Sequence, residues 1–255
     1  MTNLIRTYNC FISVFLLICI SLQAQVQDTI VNSTKRRNDT YGLRVGLDLK
    51  KITQTVFDDY YRGFEIVGDY RLTKKLYLAA ELGTEEKSIV DNSTSTTTSG
   101  GYLKAGVDIN VHKNLIGMRN LIFVGFRYGF TTFSQKLDRF SIAAENSFFP
   151  SQQIPGSFDQ KGLTAHWIEF LAGLKVEVLD NLFLGFSVSV QNKIIENKPE
   201  GFDNLYIPGF GTTNDFSDFS AGFNYFISYY IPLYKKKPKK AKEKKDSEPK
   251  IDLEK

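Results

Sequence analysis

Twelve ionisable residues fall at spacings of two through the middle of the chain: Arg44, Asp48, Glu65, Asp69, Arg71, Glu81, Lys104, Asp108, Arg127, Glu169, Lys175 and Glu177. Each lies one position away from an apolar residue, so in an extended chain the charges share one face and the apolar side chains the other. Such a face has two readings. It is an ion path or proton relay, or it is a set of opposite charges that pair and fill an interior, since buried charge is tolerated when paired and hydrogen-bonded. The signs are nearly balanced and arginines are bulky, which favours the filled interior.

Catalytic residue types are scarce. The two histidines are His112 and His166. A histidine-activated serine on a strand needs its hydroxyl two residues along the same face, and His166-Trp167-Ile168 puts isoleucine there. No aspartate stands beside His166 on its strand, so protease-like Asp–His chemistry is not expected either. His166 and Trp167 read instead as part of an aromatic girdle at a membrane interface. Both cysteines, Cys10 and Cys19, lie in the first two dozen residues, so the body offers no thiol for disulfides, zinc or nucleophilic catalysis. The glycines are scattered rather than gathered into a phosphate loop, and Asp48, Asp69 and Asp108 form no calcium-loop pattern. The expectation is a non-enzyme with no metal and no cofactor.

Binding chemistry concentrates between the strands. Phe202, Leu205, Tyr206, Ile207 and Phe210 put apolar and aromatic side chains in the middle of a connecting segment. They either fold back over a barrel mouth or serve as aromatic anchors for a partner. Asp58, Asp59 and Tyr60, with Phe57 and Tyr61 around them, and Phe148-Phe149-Pro150 are placed to complete the same surface.

The elements that must position these residues are strands. Eight stretches alternate apolar with polar or small residues, beginning near Tyr41, Phe64, Leu76, Leu103, Ile122, Ile168, Leu182 and Phe219. Each is close to the roughly 9–11 residues that a tilted strand needs to cross hydrocarbon. Three connections are short, around Thr73-Lys74-Lys75, His112-Lys113-Asn114 and Leu179-Asp180-Asn181; the other four, 53–62, 84–101, 134–166 and 193–217, are long. Short and long alternate, as turns and extracellular loops do in outer-membrane barrels, which sets both termini in the periplasm. One row is almost wholly apolar and the other mixes glycine, serine and charge. A narrow eight-stranded lumen suits the second row, and lipid suits the first. The predicted fold is all-β, an eight-stranded antiparallel up-and-down transmembrane β-barrel.

The ends differ from this body. Residues 1–24 read as a signal peptide, with Arg6 before a short apolar run and Ala24 at the cleavage position. Residues 25–40 are a periplasmic linker, 41–234 the outer-membrane barrel, and 235–255 a disordered lysine-rich periplasmic tail. The tail holds ten lysines against five acidic residues. Removing its charge and that of Arg6 from the chain's +4 leaves the body at −2, so no basic face points to nucleic acid.

Four runs carry a family resemblance: Phe57-Asp58-Asp59-Tyr60, Gly63 to Tyr70, Ala165 to Phe170 and Phe202 to Phe210. Together the chain resembles an uncharacterised outer-membrane family of Bacteroidota, known only as a domain of unknown function. The resemblance implies an outer-membrane barrel of unassigned biochemistry, acting beside a small surface lipoprotein in envelope-assembly machinery. It supplies no active site. The expected role is a structural and interaction subunit in contact with outer-membrane lipids, its long loops docking a protein partner, for instance within a complex that assembles or exports outer-membrane proteins. The alternative is a narrow channel or small-ligand transporter.

Overall fold

The computed structural model describes residues 39–91, 94–112, 119–142, 152–199, 203–213 and 216–236. The leader, most of the linker, the tail beyond residue 236, Phe202 and Phe148-Phe149-Pro150 lie outside the described residues.

Within that span the alternation becomes eight long antiparallel strands: β1 (Asp39–Asp48), β2 (Tyr61–Arg71), β3 (Leu76–Val90), β4 (Thr94–Asn110), β5 (Leu121–Ile142), β6 (Gln152–Leu179), β7 (Leu182–Glu196) and β10 (Phe219–Lys236). Each pairs with its sequence neighbour, and β1 closes on β10 from Asp39↔Lys236 to Asp48↔Phe226, completing the barrel. A two-residue pair, β8 (Tyr206–Ile207) with β9 (Gly211–Thr212), forms a separate hairpin in the connection from β7 to β10. The β1–β10 ladder closes the ring as a spanning sheet requires in hydrocarbon, and where β1 ends at Asp48 the helix that follows it stands beside β2 and β10.

Register turns the apolar residues into continuous outer rows. One runs Leu43, Tyr70, Leu78, Val107, Phe126, Phe170, Val190 and Ala221 across all eight strands. Leu78, Phe170 and Val190 on it are half or more exposed. The upper border of this belt is equally well aligned. Leu82, Leu103, Phe130 and His166 are paired in sequence, and two residues further on the same face holds Thr84, Gly101, Thr132 and Thr164. An outer surface that changes from apolar to polar along one register line has the form of a membrane boundary.

Beyond that line the strands continue. The segments 84–101 and 134–166, read from sequence as loops, are largely ladder: β3 pairs with β4 up to Val90↔Ser95, and β5 with β6 up to Ile142↔Gln152. Hydrogen bonding of the hairpins carries the sheet past the belt even where the side chains are Ser, Thr and Gly. At the opposite, terminal end the two described connections, after β2 and after β6, are short turns. β6 turns into β7 through Asp180 and Asn181, with Asn181 at φ 65°, a left-handed value that Asn tolerates better than most residues.

The first connection is also different from the expected loop. β1 stops at Asp48, and Leu49 begins helix α1 (Leu49–Phe57). The Asp48 carboxylate accepts from the Lys51 N–H at 3.0 Å, an N-cap that ends the strand and starts the helix. The Gly63 N–H donates to Thr55 Oγ1 at 2.8 Å, tying α1 to the edge of β2. α1 turns Lys51 into the barrel and leaves Val56 and Phe57 on the outside.

Candidate functional site

The interior is layered. At the terminal end Tyr77, Leu121, Phe123 and Leu171 form a buried apolar floor. The Arg44 guanidinium lies over the rings of Tyr77 (5.1 Å) and Phe183 (5.3 Å), so cation and floor are packed together.

Above the floor runs an unbroken chain of alternating charge. Arg44 pairs with Asp69 (2.7 Å), Asp69 with Lys175 (2.7 Å), Lys175 with Asp108 (3.4 Å) and Asp108 with Arg127 (2.7 Å). It continues from Arg127 to Glu81 (3.2 Å), Glu81 to Lys104 (3.3 Å) and Lys104 to Glu169 (3.3 Å). Some links follow from register alone: Arg44 stands opposite Asp69, and Glu81 opposite Lys104. Lys175 to Asp69 instead joins β6 to β2, strands on opposite sides of the ring, so this bridge spans the lumen. A small cavity of about 30 Å³ remains beside the chain, lined in part by Asp48, Glu65 and Ser228. Among the described residues Asp48 Oδ2, Glu65 Oε1 and Ser228 Oγ have no hydrogen-bond partner. The space suits one or two waters, and these atoms are the polar partners such waters need.

Eight of the twelve sequence-predicted charges are thus joined, and four have other duties. Asp48 caps α1. Glu65 accepts from the Tyr102 hydroxyl and faces Lys51 at 3.6 Å. Glu177 pairs with Arg119 at 2.9 Å near the terminal-end turn. Arg71 is no member of the carboxylate chain: it donates to the carbonyls of Thr40 (3.0 Å) and Thr73 (3.2 Å) and lies over the Tyr41 ring.

The mouth is closed by a different construction, centred on Glu85. This buried carboxylate accepts from the Tyr61 hydroxyl (2.9 Å), the Tyr206 hydroxyl (2.8 Å) and the Gly209 N–H (2.8 Å), and it pairs with Lys51. One side chain of β3 thereby holds α1, β2 and the β8–β9 hairpin. Burial alone would lower the Lys51 ammonium, but Glu85 and Glu65 outweigh it and hold it above its ordinary value. Burial, reinforced by Glu85, pushes the Tyr206 phenol well up, so it remains a donor. Gly209 is required twice over. Its φ of +83° is left-handed, and a Cβ there would overlap the Tyr102 ring. Gln135 secures the approach to the hairpin, donating to the Asp203 carbonyl at 2.9 Å. Beneath the hairpin, Tyr102, Phe133, Leu163, Ala165, Trp167, Ile207 and Phe210 form a second apolar layer.

This settles the choice left open for the aromatic segment. Tyr206, Ile207 and Phe210 are buried inside the mouth and Leu205 is half-buried, its N–H directed to Gln135. As surface anchors for a partner they are therefore corrected: hydrogen bonds to Glu85 and packing on Trp167 draw them inward. Trp167 is corrected too. It is fully buried, packed against Phe210 and over Gly129, and it is His166 that joins the outer aromatic row with Tyr128 and Phe130. At the rim, Asp59 and Tyr60 are exposed, and Asp58 pairs with Lys87 at 2.8 Å. That hydrogen bond from Lys87 keeps the Asp58 carboxyl below its usual range. Lys51, Glu85 and Tyr102 are the residues that sequence reasoning missed. Glu85 and Tyr102 share the inward parity of Glu81 and Lys104, a usable signal; Lys51 sits on a helix and had none.

No group of metal-ligating side chains occurs among the described residues. The model of a family described as Domain of unknown function (DUF6048) matches residues 5–236. Among solved structures the chain is similar to Ail, the attachment invasion locus protein of Yersinia pestis, at 10% identity, covering 76% of this chain and 99% of that chain with a TM-score of 0.37. It is similar also to a major outer membrane protein from Thermus thermophilus at 11% identity, over 75% of this chain and 98% of that one, with a TM-score of 0.37. No curated protein matches it.

Proposed function

The chain belongs to the DUF6048 family, and we propose that it is a non-catalytic outer-membrane barrel that docks a protein partner on its outward rim. The apolar belt with its aligned upper border supports residence in a bilayer. The short turns after β2 and β6 and the elaborated mouth support an orientation with both termini in the periplasm and the mouth outside. A lumen filled by floor, charge chain and hairpin supports a role for the surface rather than for a pore.

The observation that carries the reading is the apolar rim beside the first connection. Val56 is 69%, Phe57 77% and Tyr60 57% exposed, next to the buried Tyr61 and the Asp58–Lys87 pair. Large exposed apolar side chains framed by charge are typical of docking surfaces. A surface lipoprotein, or machinery that assembles or exports outer-membrane proteins, is the kind of partner this reading expects.

The test is the size of the native particle. In mild detergent the wild-type protein should migrate in a complex larger than its own mass. Phe57→Glu with Tyr60→Ala should release it as a monomer whose barrel still shifts on heating in gel electrophoresis. A wild-type protein purified solely as a monomer defeats the proposal.

A further inference from the structure

Between α1, the β8–β9 hairpin and the inner faces of β7 and β10 lies a cavity of about 410 Å³. That is within the roughly 300–1,000 Å³ range of small-molecule sites. Its lining is polar, and most of its charge is already committed. Lys51 and Glu85 hold each other, Lys87 holds Asp58, and Lys104 holds Glu81 and Glu169.

What remains uncommitted is of one kind. Lys50 has no carboxylate within ion-pair distance among the described residues; its ammonium lies over the Phe223 ring at 4.6 Å. Gln54, Ser189, Gln191, Thr212 and Asn224 line the same cavity. Among the described residues none of these five side chains makes a hydrogen bond, although Gln191 is buried. Polar groups left together around a space usually have a hydrogen-bonding occupant, water or solute. Phe210 supplies an apolar surface on one wall.

We propose that this cavity binds an anionic sugar unit, a monosaccharide bearing a carboxylate or phosphate. Amide and hydroxyl groups that donate and accept in turn match a ring of hydroxyls, an aromatic face matches the ring's C–H surface, and the single free ammonium matches one negative charge. A neutral sugar would leave Lys50 unanswered, and a bare inorganic anion would leave the amides unanswered. The occupant is either a free solute or the terminal unit of a glycan, which share this chemistry.

The chain has one tryptophan, Trp167. Its ring centroid lies 6.0 Å from that of Phe210, so its fluorescence reports on this wall. The full chain, folded in detergent micelles, is titrated with glucuronate, glucose 6-phosphate, glucose, inorganic phosphate and an oligosaccharide ending in a uronic acid. Glucuronate or glucose 6-phosphate should give a saturable change, with glucose and phosphate each at least about tenfold weaker. Lys50→Met should weaken the anionic sugars by about tenfold or more, and Lys50→Arg should restore them. Asn224→Ala, on a strand that stays folded, should weaken all sugars alike. Tighter binding of the oligosaccharide identifies a glycan terminus, and preference for the monosaccharide a diffusing solute; both support the site. Three results overturn it: no saturable change up to the order of 10 mM, phosphate binding as tightly as the sugars, or Lys50→Met and Asn224→Ala binding as wild type while remaining heat-modifiable.

Discussion

The two closures of this barrel are built from different material. The lower lumen is shut by side chains that project from the wall itself, Asp69, Asp108, Arg127 and Lys175 above Phe123 and Leu171. The mouth is shut by segments brought in from outside the wall, α1 and the β8–β9 hairpin, gathered on Glu85. In the first case every residue is already placed by the ladder, so pairing costs little extra order. In the second, two connections must give up conformational freedom to reach one carboxylate, at about 1–2 kcal/mol per ordered residue. The wall closure therefore belongs to the stability of the barrel, and the mouth closure is the part that can open locally without unfolding it.

The largest expected effect comes from breaking the wall closure. Asp108→Ala leaves Lys175 and Arg127 each short of one carboxylate in a buried layer, and removing one partner of a buried pair costs about 3–5 kcal/mol. Urea titration of the protein in lipid vesicles should show that loss as a lower folding midpoint. At the mouth, Glu85→Gln keeps the shape but removes the charge facing Lys51, with an expected cost of about 1–3 kcal/mol. Its signature should be local: faster proteolysis within 203–213, with the heat-modified band of the barrel intact. If Glu85→Gln lowers the urea midpoint as far as Asp108→Ala does, the two closures are not separable.

Smaller changes sharpen the contrast. Gly209→Ala puts a Cβ at φ +83° and against Tyr102, a strain of about 1 kcal/mol or more. It should raise hairpin proteolysis less than Glu85→Gln does, with no change in the urea midpoint. The smallest effect is expected where the mouth is emptied altogether. Replacing 205–212 by a short glycine-serine linker leaves the charge chain and the floor in place, so planar bilayers should still show no steady conductance steps. Steps that appear with this deletion would move the barrier from the wall to the hairpin and revive the channel reading.

How much of this was legible follows from the range of each signal. Period-two alternation is local, and it marked the eight strands and placed Arg44, Asp69, Lys104, Arg127 and Glu169 inward. Parity reached further than it was used. Trp167 shares the face of Glu169, and Glu85 that of Glu81, yet a tryptophan beside a histidine reads as a girdle and a charge past the apolar run reads as loop. The ladders beyond the belt were hidden because Thr94 to Gly101 is Ser, Thr and Gly, a composition that marks loops unless a partner strand supplies the hydrogen bonds.

The sequence by itself determined eight alternating stretches, the two faces and the charge placed on the inner one, because each depends on residues a few positions apart in an extended chain. That eight strands close the ring came from the structure. Only the tertiary structure decided which charges meet. Lys175 finds Asp69 across 106 positions and the full width of the ring, and Tyr206 finds Glu85 across 121. It also decided that an aromatic segment suited to a surface lies inside the mouth instead. Those outcomes depend on barrel diameter, on stagger and on where β1 gives way to α1. They are properties of closure, which no stretch of the chain carries alone.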